Sequence, residues 1–217
     1  MKKKLLIFDM DGTILDTLED LTDAMNHTLE CHNMPKRTIE EVRTFVGNGI
    51  LKLVERSAVA GTDAEKIAQM FADMKAYYQL HCYDKTKPYD GIIELMKELR
   101  EKGYGIAVVS NKADAAVQEL CQKFFTGLVD YAVGEQEGIA RKPAADMVYM
   151  AMKQMQTRPE DAVYIGDSEV DFATANNSEI DSIIVTWGFR DEAFLRAQGA
   201  NLFVNKPMEI LDILAQK

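Results

Sequence analysis

The sequence predicts an α/β fold: a parallel sheet interrupted early by an all-helical insert. Three observations carry that prediction. The apolar run Leu5-Leu6-Ile7-Phe8 reads as a buried strand. After Asp16 the periodicity becomes helical and stays so to about Asp84, with no strand signal. Beyond Pro88, helical stripes alternate with short apolar runs, which implies parallel pairing through right-handed crossovers. The expected organisation is a core built from 1–15 and 85–217, with a helical module at 16–84.

Each element has its own signal. Leu18, Leu21, Met25 and Leu29 recur at helical spacing, with Glu19, Asp20 and Asp23 on the opposite side. Thr17 with Asp20, Thr38 with Glu41 and Thr62 with Glu65 resemble capping boxes. Gly49 to about Ala60 carries Ile50, Leu51, Leu53 and Val54. A last helix is expected from Asp63 to His81, with Ile67, Met70, Phe71, Met74 and Tyr78 inward. That makes roughly four helices.

In the second part, a stripe from Ile92 to Leu99 ends at Gly103. Strands are predicted at 105–109, 131–133, 162–165 and 182–186. Helices are predicted at 113–124, 144–154 and 170–176. Leu202-Phe203-Val204 and a helix from Met208 complete the pattern. The insert falls just after the first strand, where ligands bind in open parallel sheets and where a mobile lid would serve.

Composition narrows the function. A formal net charge of -10 argues against nucleic acid or an anionic membrane as partner. An anionic substrate would need a local cation. The basic start Met1-Lys2-Lys3-Lys4 is cut short by Asp9 and Asp11, too early for a signal peptide. No run approaches the roughly 18 apolar residues of a membrane span. Cys31, Cys82 and Cys121 are scattered and odd in number, as for free thiols in a reducing compartment. A cytoplasmic protein is expected.

Chemistry gathers at the predicted strand ends. Asp9-Met10-Asp11-Gly12-Thr13 follows the first strand. Two carboxylates two residues apart on extended chain share a side, which is unfavourable without a cation or a reaction; a solvated Asp-Gly turn is the alternative. Ser110-Asn111 is expected just before a helix near Lys112, as an anion site or a plain N-cap. Gly166-Asp167-Ser168-Glu169-Val170-Asp171 offers two aspartates at a strand–helix junction, for coordination or for capping. Lys142 precedes Pro143 and would by default be solvated. Jointly these form a carboxylate cluster, a hydroxyl and one ammonium at one sheet edge. Such a set suits Mg2+. His27, His32 and His81 all fall in the insert, so zinc is disfavoured.

The order Asp-x-Asp-Gly-Thr, Ser-Asn, Lys-Pro and Gly-Asp-Ser-x-x-Asp is similar to the haloacid dehalogenase superfamily of phosphatases, over the whole chain. Gly166 to Asp171, Trp187-Gly188-Phe189-Arg190 and Val46-Gly47-Asn48-Gly49 resemble its phosphoglycolate phosphatase group. Ala145 and Asp90 depart from that group, which favours proline at both places. The resemblance implies a three-layer, Rossmann-like parallel-sheet core with an inserted helical cap. It implies Asp9 as nucleophile and Asp11 as general acid and base. Mg2+ would be held by Asp9, the main-chain oxygen of Asp11, and Asp167, with Ser168 and Asp171 supporting them. Phosphate contacts are implied for Gly12, Thr13, Ser110, Asn111 and Lys142.

Substrate choice is expected in the cap at Gly47, Asn48 and Gly49, although these residues equally suit a plain helix–helix turn. Arg43, Lys52, Arg56 and Arg190 are further candidates for a second anionic group, with a solvated surface charge the default for each. A small phosphorylated metabolite is the expected partner, for a monomer or homodimer. The second aspartate of the first motif argues against dehalogenase chemistry. Rival readings are a sugar-phosphate mutase resembling beta-phosphoglucomutase, an inorganic pyrophosphatase, and a non-catalytic phosphate-binding regulator.

Overall fold

A computed structural model describes residues 3–215; Met1 and Lys2 of the basic start, and residues 216 and 217, lie outside the described residues. The chain divides into two compact units. One combines Met1–Leu15 with Pro88–Lys217, and the other is Asp16–Lys87. The chain leaves the first through β2 (Leu15–Asp16) and returns through β3 (Lys87–Pro88).

The first unit is built on a six-stranded sheet. Its strands are β1 (Leu5–Phe8), β4 (Gly105–Ala113), β5 (Tyr131–Glu135), β6 (Ala162–Gly166), β7 (Asp181–Val185) and β8 (Phe203–Val204). They lie in the order β5-β4-β1-β6-β7-β8, and every pairing is parallel. All four residues of β1 are buried, because the strand is central and flanked on both sides. Leu5 and Ile7 pack with Met147, Val148 and Ala151 of α7 (Asp146–Gln154), while Leu6 and Phe8 point to the other face.

Register places the site. Phe8 pairs with Val108 of β4 and with Ile165 of β6, so β1 and β6 end nearly level while β4 runs on beside the loop that follows β1. The strand order reverses about β1, the arrangement that leaves a crevice at such ends. Flanking helices are α5 (Ile92–Glu101), α6 (Asp114–Phe124), α8 (Glu169–Asn177) and α10 (Glu209–Ala215).

Two elements depart from the sequence prediction. β4 continues through Ser110, Asn111 and Lys112, so those residues are strand and not a helix start; α6 begins only at Asp114. The short helix α9 (Glu192–Ala197) had no sequence signal. Six residues are too few to show a period, and its one buried side chain, Leu195, packs on Ile184 and Ala200.

The second unit holds four helices, α1 (Leu18–Cys31), α2 (Ile39–Phe45), α3 (Gly49–Ser57) and α4 (Ala64–His81). Leu21, Met25 and Leu29 of α1 and Met70, Met74 and Tyr78 of α4 are buried; Ile67 and Phe71 are only partly so. Of the three expected capping boxes, Thr38 with Glu41 forms. Thr17 makes no side-chain cap, its backbone (φ -109°, ψ 2°) lying outside the extended conformation of a capping residue, and Asp20 instead accepts from the N–H groups of Lys85 and Thr86. At α4 the cap is Asp63, one residue later than expected, and Thr62 donates to Val59.

Candidate active site

The loop after β1 doubles back at once: the N–H groups of Ile14 and Leu15 both donate to the Met10 carbonyl at 3.0 Å. Gly12 makes this turn with φ of 85°, a conformation that side chains disfavour. A Cβ there would also lie 2.5 Å from Asp167. Thr13 donates its hydroxyl to Asp167 Oδ1 at 3.1 Å, tying the β1 loop to the end of β6. The Trp187 indole N–H donates to the Thr13 carbonyl at 3.0 Å.

Asp9, Asp167 and Asp171 each present a carboxylate oxygen within 4.8 Å of the others, and all three are buried. The expected convergence of residues 9 and 167 is therefore present. Lys142 Nζ stands 2.8 Å from Asp9 Oδ1 and 2.8 Å from Asp171 Oδ1, and donates to the Tyr164 hydroxyl at 3.0 Å. Lys142 is 4% exposed, so the default of a solvated lysine fails.

Asp171 does two jobs that the sequence posed as alternatives. Its Oδ2 takes the Ser168 hydroxyl and the N–H groups of Asp167 and Ser168, and with Ser168 it forms the capping box of α8. Its Oδ1 faces Lys142. With both oxygens occupied, Asp171 acts as a support for its neighbours.

Glycines make the close packing feasible. A Cβ on Gly188 would fall 2.2 Å from the Asp167 Cβ, and one on Gly166 would fall 2.3 Å from the Asp171 Cβ. Phe189 N–H donates to Asp167 Oδ2 at 2.7 Å. Arg190 pairs with Glu169 at 3.0 Å, within the same unit.

The cluster carries more negative charge than its cation balances. Burial first, then the Asp171 charge, pushes Asp9 well above the ordinary carboxylate range, with Lys142 pulling the other way. Burial and Asp171 likewise push Asp167 to about 7. Burial opposes the charge of Lys142, yet Asp171 and Asp9 hold its pKa well above the ordinary lysine value. Three carboxylates around one ammonium make a place where a further cation is favourable. Hard oxygen donors with no thiolate or imidazole in the cluster fit Mg2+.

Ser110 and Asn111 are buried at the end of β4, beside β1. Asn111 clamps the Lys142 loop: its side-chain oxygen accepts the Lys142 N–H at 2.9 Å, and its amide donates to the Lys142 carbonyl at 3.1 Å. Gly47, Asn48 and Gly49 lie in the helical unit at the start of α3, with φ of 111° and 81° at the two glycines.

Sequence reasoning missed three contributors. Lys112 pairs with Asp11 at 2.9 Å, Tyr164 bridges Lys142 and the Val109 carbonyl, and Gly188 admits Asp167. The β4 extension hid the first; inward strand position hid the second.

A parallel sheet with a buried acid cluster and an ammonium at its carboxyl end suits phosphoryl transfer, whose catalysis is positioning and charge compensation. Residues 6–185 match the model of the haloacid dehalogenase-like hydrolase family, and the chain belongs to that family. It is 34% identical over 195 residues to a phosphoglycolate phosphatase of Rhodobacter capsulatus, covering 85% of each chain. It is 24% identical to the pyrophosphatase PpaX of Bacillus mycoides, covering 100% of this chain and 99% of the relative. A crystal structure from Lactobacillus delbrueckii subsp. bulgaricus, named as a candidate phosphoglycolate phosphatase, superposes with a TM-score of 0.94 at 39% identity and 99% coverage of both chains. The protein is an enzyme, a phosphatase of the phosphoglycolate phosphatase-like group. No helix among the described residues is long and apolar enough to cross a membrane.

Proposed function

We propose that this enzyme is a Mg2+-dependent hydrolase of small phosphomonoesters that works through an aspartyl-phosphate on Asp9, with phosphoglycolate as the first substrate to test. The observation that carries this reading is the buried Asp9 carboxylate, gripped by Lys142 at 2.8 Å and grouped with Asp167 at an open sheet edge.

In this reading an Asp9 oxygen attacks phosphorus as the bond from phosphorus to the leaving oxygen breaks, and Asp11 gives that oxygen its proton. Asp11 then takes a proton from water, whose oxygen attacks the phosphoryl group. The bond to Asp9 breaks, phosphate leaves, and both carboxyls are restored. Lys142 and the Ser110 hydroxyl compensate charge on the phosphoryl oxygens, where most of the catalysis of such transfers resides. Asp9, Asp167 and the Asp11 carbonyl would hold Mg2+, which when bound supplies further charge neutralisation. Gly12 and Thr13 shape the phosphate end, and Asn111 holds Lys142 in place. The Gly47-Asn48-Gly49 turn is assigned to leaving-group choice.

A second reading, pyrophosphate hydrolysis by the same steps, is favoured by the full-length likeness to PpaX. The proposal includes a cytoplasmic location and a monomer or homodimer without nucleic-acid or membrane partners. The deciding experiment measures phosphate release from phosphoglycolate, other small esters and pyrophosphate, with and without Mg2+. Turnover that needs Mg2+ and vanishes in Asp9→Asn is expected. Turnover surviving in Asp9→Asn would exclude the mechanism, and a preference for pyrophosphate would select the second reading.

A further inference from the structure

We propose that Lys112 is a positioning residue: it holds the Asp11 carboxylate turned toward the leaving group and away from the Asp9, Asp167 and Asp171 cluster. The proposal rests on the phosphatase reading and deepens it.

Asp11 is only two residues from Asp9, yet it is not among the three carboxylates gathered within 4.8 Å. Two features separate it from them. The chain turns at Gly12, and Lys112 Nζ forms an ion pair with Asp11 Oδ1 at 2.9 Å. The Lys112 side chain is 3% exposed and that of Asp11 22% exposed, so little solvent screens the pair. In a buried pair, parting the two charges leaves each uncompensated, so the contact is costly to break. Lys112 thus works as a tether for a carboxylate that would otherwise be free to swing toward the metal ligands.

Local backbone shows how Lys112 is aimed. The pairing of β4 with β5 shifts register between Val109 and Ala113, the kind of irregularity that redirects side chains beside active sites. β5 follows this path closely at Gly134, where a Cβ would sit 2.5 Å from the Lys112 carbonyl oxygen and 2.6 Å from the Asp114 Cα. Gly134 N–H donates to Asp114 Oδ1 at 2.8 Å, fixing the approach. Only glycine fits there, so the path that presents Lys112 to Asp11 is built into two strands.

The role separates from its alternatives through the leaving group. An alkyl phosphate needs the proton that Asp11 delivers to its departing oxygen, whereas p-nitrophenyl phosphate releases a stable anion without one. Both are assayed with Mg2+ on the wild type, Lys112→Met, Lys112→Arg, Asp11→Asn and the Asp11→Asn/Lys112→Met double variant. Lys112→Met is expected to lose on the order of 100-fold in kcat/KM on the alkyl ester, within the range general acid catalysis contributes, and much less on the aryl ester. The reason is that kcat/KM ends at leaving-group departure and leaves out the later water attack that both esters share. KM stays nearly unchanged, Lys112→Arg recovers part of the loss, and the double variant falls no further than Asp11→Asn.

Equal losses in kcat/KM on both esters, a raised KM at unchanged kcat, or additive losses in the double variant would overturn the tether while leaving the phosphatase reading intact. Absence of turnover by the wild type on either ester would overturn the phosphatase reading and the tether with it. Gly134→Ala provides a second route should Lys112→Met fail to fold: displacing the Lys112 backbone is expected to give the same ester-selective loss, and an unselective one counts against the proposal.

Discussion

The Asp171 carboxylate and the Lys142 ammonium meet at 2.8 Å with side chains 0% and 2% exposed. Neither charge reaches solvent, so each depends on the other and on the groups around them. This pair links α8 to the loop before α7 and, through Lys142, to the end of β1.

Removing the Asp171 side chain leaves Lys142 paired with Asp9 and takes away one half of the capping box of α8, while the Asp171 N–H still donates to the Ser168 hydroxyl. Breaking a buried pair costs several kcal/mol, while relief of repulsion between Asp171 and its acidic neighbours offsets part of this. Asp171→Ala is expected to lose about 3 kcal/mol, at the low end of the range for such breaks. Urea denaturation of the two proteins checks it, and an unchanged midpoint would show that the pair contributes nothing net.

Gly188→Ala tests the cradle around Asp167. A methyl 2.2 Å from a buried Cβ must displace that side chain, because the Asp167 oxygens are already held by Thr13 and Phe189. Overpacking of this kind costs about 1–3 kcal/mol. Mg2+-dependent phosphate release should fall by on the order of 100-fold, as ~1 Å errors in placing catalytic groups do. Measured kcat near that of the wild type would show that Asp167 need not stay where it is.

The raised pKa of Asp167 has a defined pH signature. Below about pH 4 its carboxyl is protonated in both folded and unfolded chains, and it adds no penalty. Between about 4 and about 7 the unfolded chain ionises first, the folded protein binds more protons, and stability falls as pH rises. Above about 7 the loss is complete, of the order of 4 kcal/mol. Denaturation of the wild type and Asp167→Asn in chelator, from pH 4 to 8, isolates this difference, which Mg2+ should shrink. A pH-independent difference would remove the electrostatic account.

Trp187 is the sole tryptophan of the sequence, and its indole bonds the loop that carries Asp9 to Thr13. Its emission should therefore report on the site. A Mg2+ titration is expected to shift or quench fluorescence in the wild type and to have little effect in Asp167→Asn. Identical responses in the two proteins would mean that the ion binds elsewhere.

Much of this was legible in the residues. Leu5 to Phe8 announced a central strand because a strand covered on both faces is apolar throughout. Asp9, Asp167 and Asp171 were readable as acids at strand ends, and Gly12 as the turn between them. Ser110-Asn111-Lys112 misled, since a strand that bulges looks like a strand that stops. The Thr17–Asp20 capping box misled too: Thr17 is not in the extended conformation a cap needs, and the Asp20 carboxylate is engaged by residues 65 and 66 positions away.

The sequence by itself determined most of the strand and helix segments and the chemical groups near their ends, because periodicity and turn residues act locally. The extension of β4, the short helix α9 and the strands β2 and β3 escaped it. Only the tertiary structure decided that Lys142 is buried between two carboxylates, that Lys112 reaches Asp11, and that Gly188 makes room for Asp167. Those relations join residues far apart in the chain, and they arise from strand order and register, which no local pattern encodes.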